Sequence, residues 1–119
     1  MSIKLVILKS GEDVVADVEE MVINDKVVGY FFNHPCRVKL TSKGPQRDGS
    51  HHSPFKIDIL PWSPLSKDQR IPVVVDWVIS MMEPIDELRR MYEKVVLDYE
   101  RRKSAAVVDD KQSVDTDSD

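Results

Sequence analysis

A single cysteine in 119 residues leaves nothing for an internal disulfide to pair with, so Cys36 reads as a small buried strand residue. Positive charge is also short. Lys and Arg number 17 against 21 Asp and Glu, giving a net charge of −4. With a pI near 5.3, the chain lacks the broad basic surface that holds nucleic acid by phosphate neutralisation alone, and any RNA contact has to be local. No apolar run reaches the ~20 residues of a membrane helix. The longest, at 73–82, is interrupted by Asp76 and Ser80. Met1-Ser2-Ile3-Lys4 does not open a secretory signal. The expectation is a cytoplasmic, intracellular protein without a membrane partner.

Catalytic and metal-ligating patterns are equally scarce. His34, Cys36, His51 and His52 lack the paired spacings of structural zinc sites, so no metal is expected. Asp13, Asp17, Glu19 and Glu20 lie along one strand with no His or Lys converging on them, and they read as its wet face. The sequence predicts no enzyme and no cofactor.

What is present is alternation. Ile3, Leu5 and Ile7 interleave with Lys4, Val6 and Leu8, which predicts a first strand covered on both faces. Ser10-Gly11 makes a tight turn into a second strand with Val14, Ala16 and Val18 on one face and Asp13, Asp17 and Glu19 on the other. Asn24-Asp25 turns the chain again. The run at 27–32, with Gly29 inside it, predicts a long curved third strand, and Pro35 forces either a bulged continuation through 36–40 or a separate strand. Residues 41–54 read as a loop, 55–59 as a fourth strand and 61–70 as a second loop.

The stretch 73–82 then predicts one long fifth strand, with Val73, Val75, Trp77, Ile79 and Met81 on one face and Val74, Val78 and Met82 on the other. A terminal strand apolar on both faces in so small a domain calls for cover from another copy of the chain. Pro84 suits a first helical turn, and Ile85, Leu88, Tyr92, Val95 and Tyr99 form a stripe, predicting a helix over about 84–102. Asp86/Arg90 and Asp98/Arg102 are its expected (i, i+4) pairs. The domain is therefore 1–103, and 104–119 reads as an acidic, solvated tail.

The segment Leu8-Lys9-Ser10-Gly11-Glu12-Asp13-Val14-Val15-Ala16-Asp17-Val18 resembles the first motif of the Sm-like family of Sm, LSm and Hfq proteins, and the resemblance covers roughly residues 3–84. In size and character the chain is similar to small Sm-like proteins of tailed phages and marine metagenomes, which places it by resemblance in a phage-infected host. The resemblance implies a mainly β fold: a five-stranded, strongly bent antiparallel Sm-like open barrel, here followed by a C-terminal α-helix. It implies a homo-oligomeric ring closed by pairing the fourth strand of one subunit with the fifth of the next. Phe55, Ile57, Ile59, Val74, Val78 and Met82 are the expected interface.

The family's RNA site lines the ring's pore, from the loops between strands two and three and between strands four and five. Its Asp-x-x-x-Asn pairing falls here on Val22 and Lys26, and its Arg-Gly is replaced by a loop ending in Gln69-Arg70. The usual base-binding residues are thus missing. Asn24, Lys26, Lys67 and Arg70 remain as polar or cationic contacts for single-stranded RNA, with Trp62 as a stacking surface or, more plainly, a loop anchor. The rival expectation is a structural or adaptor oligomer that meets protein partners through its helix and acidic tail and binds no nucleic acid.

Overall fold

A bulge in one strand decides which way the side chains of half the sheet point. The structure is a computed structural model that describes residues 1–42 and 55–113, with side chains through 105. Its elements are β1 (Ile3–Leu8), β2 (Asp13–Ile23), β3 (Lys26–Ser42), β4 (Phe55–Pro61), β5 (Arg70–Val74), a 3-10 turn (Val75–Trp77), β6 (Val78–Met82) and α1 (Asp86–Ser113). The sheet is antiparallel, in the order β4-β3-β2-β1-β6, and β5 pairs with β3 beyond the end of β4.

The two predicted hairpins form as written. Gly11 sits at φ 87° and its N–H donates to the Leu8 carbonyl (2.9 Å), while Leu8 N–H donates to the Glu12 carbonyl (3.0 Å), a three-residue loop closed by a left-handed glycine. Asn24 (φ 52°) and Asp25 (φ 61°) supply the two positive φ angles of a type I′ turn. Gly29 has a different reason to lack a side chain: a Cβ there would lie 2.6 Å from the Val73 carbonyl oxygen, where β5 crosses.

Pro35 produces the bulged continuation. Val15 faces Cys36 and Asp17 faces Asn33, so a two-residue step in β2 opposes a three-residue step in β3. His34 takes up the extra length in the left-handed region (φ 48°). Before the bulge, Tyr30 and Phe32 point to the same side as Val14, Ala16 and Val18; after it, Cys36 and Val38 point to the opposite side with Val15. The sheet consequently has two cores. The inner one joins Val6, Leu8, Val14, Ala16, Val18, Phe32 and Val73, with Trp62, Val78 and Met81 packed on it. The outer one joins Ile3, Val15, Cys36, Leu88 and Tyr92, with Ile57, Ile59 and Val96 against it. β1 is covered on both faces because it contributes to both cores.

Three of the sequence expectations are corrected. The fifth strand of 73–82 is two strands: the 3-10 turn Val75–Trp77 carries the chain from the β3 edge at β5 to the β1 edge at β6, giving six strands rather than five. The alternation is lost because the turn breaks it and because β6 slips register between Ile7–Ser80 and Leu8–Val78, placing both Val78 and Met81 on the inner core. The sheet bends far enough for three residues to span its two edges, yet β5 and β6 do not pair, so it is unclosed.

The helix is also displaced and longer. It starts at Asp86, after Ile85, whose carbonyl accepts the first helical bond from Arg89 N–H (3.0 Å). Ile85 itself is exposed, and the buried positions of the stripe are Leu88 and Tyr92. α1 runs to Ser113 instead of about 102, through the start of the expected tail; neither Gly nor Pro follows Pro84 to stop it. Arg89 pairs with Glu83 (3.5 Å) and Glu93 (3.9 Å), in place of the expected Asp86/Arg90 and Asp98/Arg102 pairs.

Four backbone groups at the bulge find partners outside the β2–β3 ladder. Asp17 N–H donates to the Tyr92 hydroxyl (2.9 Å), which donates in turn to the Asn33 carbonyl. His34 N–H donates to the Gln69 carbonyl (2.7 Å), and the Pro35 carbonyl accepts from Trp62 N–H (3.0 Å). One phenol on the helix thus stands in for a ladder bond between β2 and β3, and the ends of the 62–69 loop satisfy the rest.

Two outcomes follow from this packing. Tyr92→Phe keeps the ring but orphans a part-buried N–H and a part-buried carbonyl, so it costs about 1–2 kcal/mol in urea unfolding, whereas Tyr99→Phe stays within about 0.5 kcal/mol. Burial pushes the Cys36 thiol from its ordinary 9.0 up to about 11 and raises the Tyr92 phenol as well. Groups held neutral by folding stabilise fully below their unfolded values, so the contribution of these two groups to stability in urea melts is level from neutral pH to about pH 9 and falls from pH 9 to 11. Cys36→Ala removes part of that decline.

Candidate functional site

Asn24 and Lys26 stand at the tip of the β2–β3 hairpin, and Arg70 stands opposite Asn33 on β3. The seven residues from Lys26 to Asn33 span about 23 Å at about 3.3 Å per residue, so the cations proposed for RNA do not converge. The loop beside the hairpin tip is the 3-10 turn next to Val74, which faces Gly29; it contributes Asp76 and no cation. The 62–69 loop lies at the other end of β5, against the bulge.

Arg70 is already engaged. Its guanidinium lies 2.9 Å from a Glu19 carboxylate oxygen and 3.7 Å above the centre of the Phe31 ring. Asn33 Nδ2 donates to the other Glu19 oxygen (3.0 Å). The hydrogen bond from Arg70 and then that from Asn33 hold the Glu19 carboxyl below the usual carboxylate range. Trp62 is spent on the inner core, its ring 6.0 Å from that of Phe32 and tilted by 47°. It anchors the loop against the inner core while staying partly exposed. Of the proposed RNA contacts, Lys67 lies in a cleft with Arg70, and Lys26 stands at the β2–β3 turn.

The expected interface residues divide in the same way. Ile57 and Ile59 pack beneath the helix in the outer core, and Val78 packs on the inner core. Phe55, Val74 and Met82 are exposed, and Val75, Trp77 and Ile79 join them around the 3-10 turn and β6. Among the described residues, β5 and β6 each pair on one side only.

Of the residues weighed as metal ligands, His51 and His52 lie outside the described residues. The Cys36 thiol donates to the His34 carbonyl (3.5 Å), and the His34 ring leans on Tyr99 with centroids 4.6 Å apart and its Nε2 4.0 Å from Glu100. Among the described residues no three His, Cys, Asp or Glu side chains are grouped to hold a metal. No helix is long and apolar enough to cross a membrane among the described residues.

What the sequence did not reveal is a double cleft where the bulge, the 62–69 loop and the second half of α1 meet. One chamber, about 330 Å³, has walls of Pro35, Pro61, Pro64, Ile71 and Val95. The other, about 350 Å³, is bordered by charges of both signs, Lys67, Asp68, Arg70, Glu100 and Lys103. His34, Gln69 and Tyr99 line both and form the partition. These residues come from β3, β4, the 62–69 loop, β5 and α1, and only the prolines and the loop's cations were visible as a local pattern. A scan against protein-family models finds no match to this chain, and a search among curated proteins finds none either.

Proposed function

We propose that this chain is an Sm-like subunit whose work is assembly: a structural or adaptor oligomer built by pairing the open edge of β5 in one copy with the open edge of β6 in the next. The observation that carries this reading is the pair of half-paired strands with apolar side chains left wet beside them. Val74 is 66% exposed and Ile79 62% exposed. Monomers blunt such edges with charge, proline or a covering segment. Here only Pro72 and Arg70 on β5 serve that purpose, while β6 is Val-Ile-Ser-Met-Met. Because the two edges are different surfaces of one subunit, their contact is heterologous, and a bent subunit repeats it into a ring.

β4 and β5 together take the place of the family's fourth strand, interrupted by residues 62–69, and β6 takes the place of the fifth. That correspondence supports the Sm-like reading without naming a ligand. Single-stranded RNA in a pore is the less favoured reading, since Asn24 and Lys26 stand apart from Lys67 and Arg70, and Arg70 is neutralised by Glu19. The helix and its acidic continuation are left for protein partners.

Light scattering is the test. The native chain is expected at a multiple of its 13.7 kDa mass. Val74→Lys combined with Ile79→Lys is expected to give 13.7 kDa with an unchanged circular dichroism spectrum. A native mass of one subunit overturns the reading. Salt-sensitive binding of oligo-U or oligo-A that falls with Lys26→Ala or Arg70→Ala overturns its exclusion of RNA.

A further inference from the structure

We propose that the chamber between the bulge, the 62–69 loop and α1 binds a free apolar α-amino acid, with its ammonium on Asp98, its carboxylate on Arg102 and its side chain against the proline walls. The proposal does not rest on the assembly reading, because the chamber sits at the Ile71 end of β5 and the exposed Val74 at the other.

The charges set the class of ligand. The stripe of α1 that buries Leu88 and Tyr92 runs on through Val95 and Tyr99, and Arg102 falls seven residues after Val95 on the same line. Asp98 stands one turn before Arg102, and both side chains line the chamber of about 330 Å³. An acid four residues before a base is the favourable order for a helical ion pair. Here that pair is not made, and among the described residues neither Asp98 nor Arg102 has any other ion pair.

One negative and one positive charge leave this chamber with no net charge, His34 being neutral. An anion on Arg102 would meet the Asp98 carboxylate, about 5–6 Å away between Cβ atoms, and a cation on Asp98 would meet the Arg102 guanidinium. A ligand that carries both charges on one carbon pairs with both. The neighbouring chamber is no better suited to an anion, since Lys67 and Lys103 are balanced there by Asp68 and Glu100, and Arg70 is held by Glu19.

The other polar groups are either engaged or uncharged. Tyr99 and His34 lean on each other with ring centroids 4.6 Å apart, and the Cys36 thiol donates to the His34 carbonyl. The Ser63 hydroxyl and the Gln69 amide add neutral donors and acceptors from the loop. Apolar surface comes from Pro35, Pro61, Pro64, Ile71 and Val95. The volume stands at the small end of the range of about 300–1,000 Å³ for small-molecule sites, which suits a single amino acid. Pro35 is fixed at the bulge by its bond from Trp62, Ile71 by pairing with Phe32 and Val95 by the helix, so the walls rest on regular elements and not on the loop alone.

Chemical-shift titration of the full chain at neutral pH, read at the amides of Gln69, Ile71 and Tyr99, tests the assignment. L-Leucine is expected to bind with Kd below about 1 mM. Glycine, which lacks the side chain, N-acetyl-L-leucine, which lacks the ammonium, and L-leucinamide, which lacks the carboxylate, are expected to bind about tenfold more weakly. Asp98→Asn is expected to weaken leucine about tenfold and leave N-acetylleucine unchanged, while Arg102→Gln weakens leucine about tenfold and leaves leucinamide unchanged. Asp98 is only half-buried and Arg102 is exposed, so both variants keep the fold, and the unchanged derivative checks that in each. Absence of leucine binding, equal binding of glycine or of either derivative, full leucine affinity in either variant, or a variant that loses leucine and its derivative alike overturns the proposal. Glycylleucine bound as tightly as leucine also overturns it, by assigning the chamber to a peptide terminus.

Discussion

The structure depends on one extra residue in β3. Without it, Cys36 and Val38 would point to the same side as Phe32, and the sheet would have one core and one wet face. With it, the second half of β3 and the strand paired to it turn their apolar side chains outward, and a helix is needed to cover them. Tyr92 is the residue through which that helix is coupled to the bulge, since its hydroxyl lies between Asp17 N–H and the Asn33 carbonyl. The loop at 62–69 is pinned at both ends to the same place, through Gln69 and Trp62. Bulge, helix and loop are thus one device, and the double cleft is the space they leave.

Much of the sheet was legible in the sequence because its signals are local. The glycine of the first turn, the Asn24-Asp25 pair and the period-2 runs of β1, β2 and β4 each specify their own conformation. Pro35 announced a disruption in β3 for the same reason. The break at Val75–Trp77 was not legible, because Val73-Val74-Val75 and Trp77-Val78-Ile79 continue an apolar run that periodicity reads as one strand. What breaks it is tertiary: β5 belongs to β3 and β6 to β1, and the chain has to change edges between them. The end of the helix was misplaced on composition, since acidic residues after Ser104 read as solvated tail while nothing in them opposes helix.

The functional residues were less legible than the fold. Arg70 in sequence is a free cation beside a loop; in space it is matched to Glu19, 51 residues away, and to the Phe31 ring. Trp62 beside its prolines reads in sequence as either a stacking surface or a loop anchor, and only the fold shows what it packs on, the Phe32 ring of the inner core. Ile57 and Ile59 alternate as an interface strand would, but the partner they meet is the chain's own helix. In each case the side chain's partner lies far along the chain, where pattern gives no guidance. Val74 on β5 and Ile79 on β6 stay exposed, and it is on these apolar edges that the proposed assembly rests.

Amide hydrogen exchange at Asp17 tests the central claim most directly, because at the bulge that N–H donates to the Tyr92 hydroxyl in place of a β3 carbonyl. The account predicts that it exchanges as slowly as the amides of its neighbours Val15 and Val18 in the middle of β2. Exchange as fast as the turn amide of Asp25 would mean that the helix does not close the bulge, and would contradict the account.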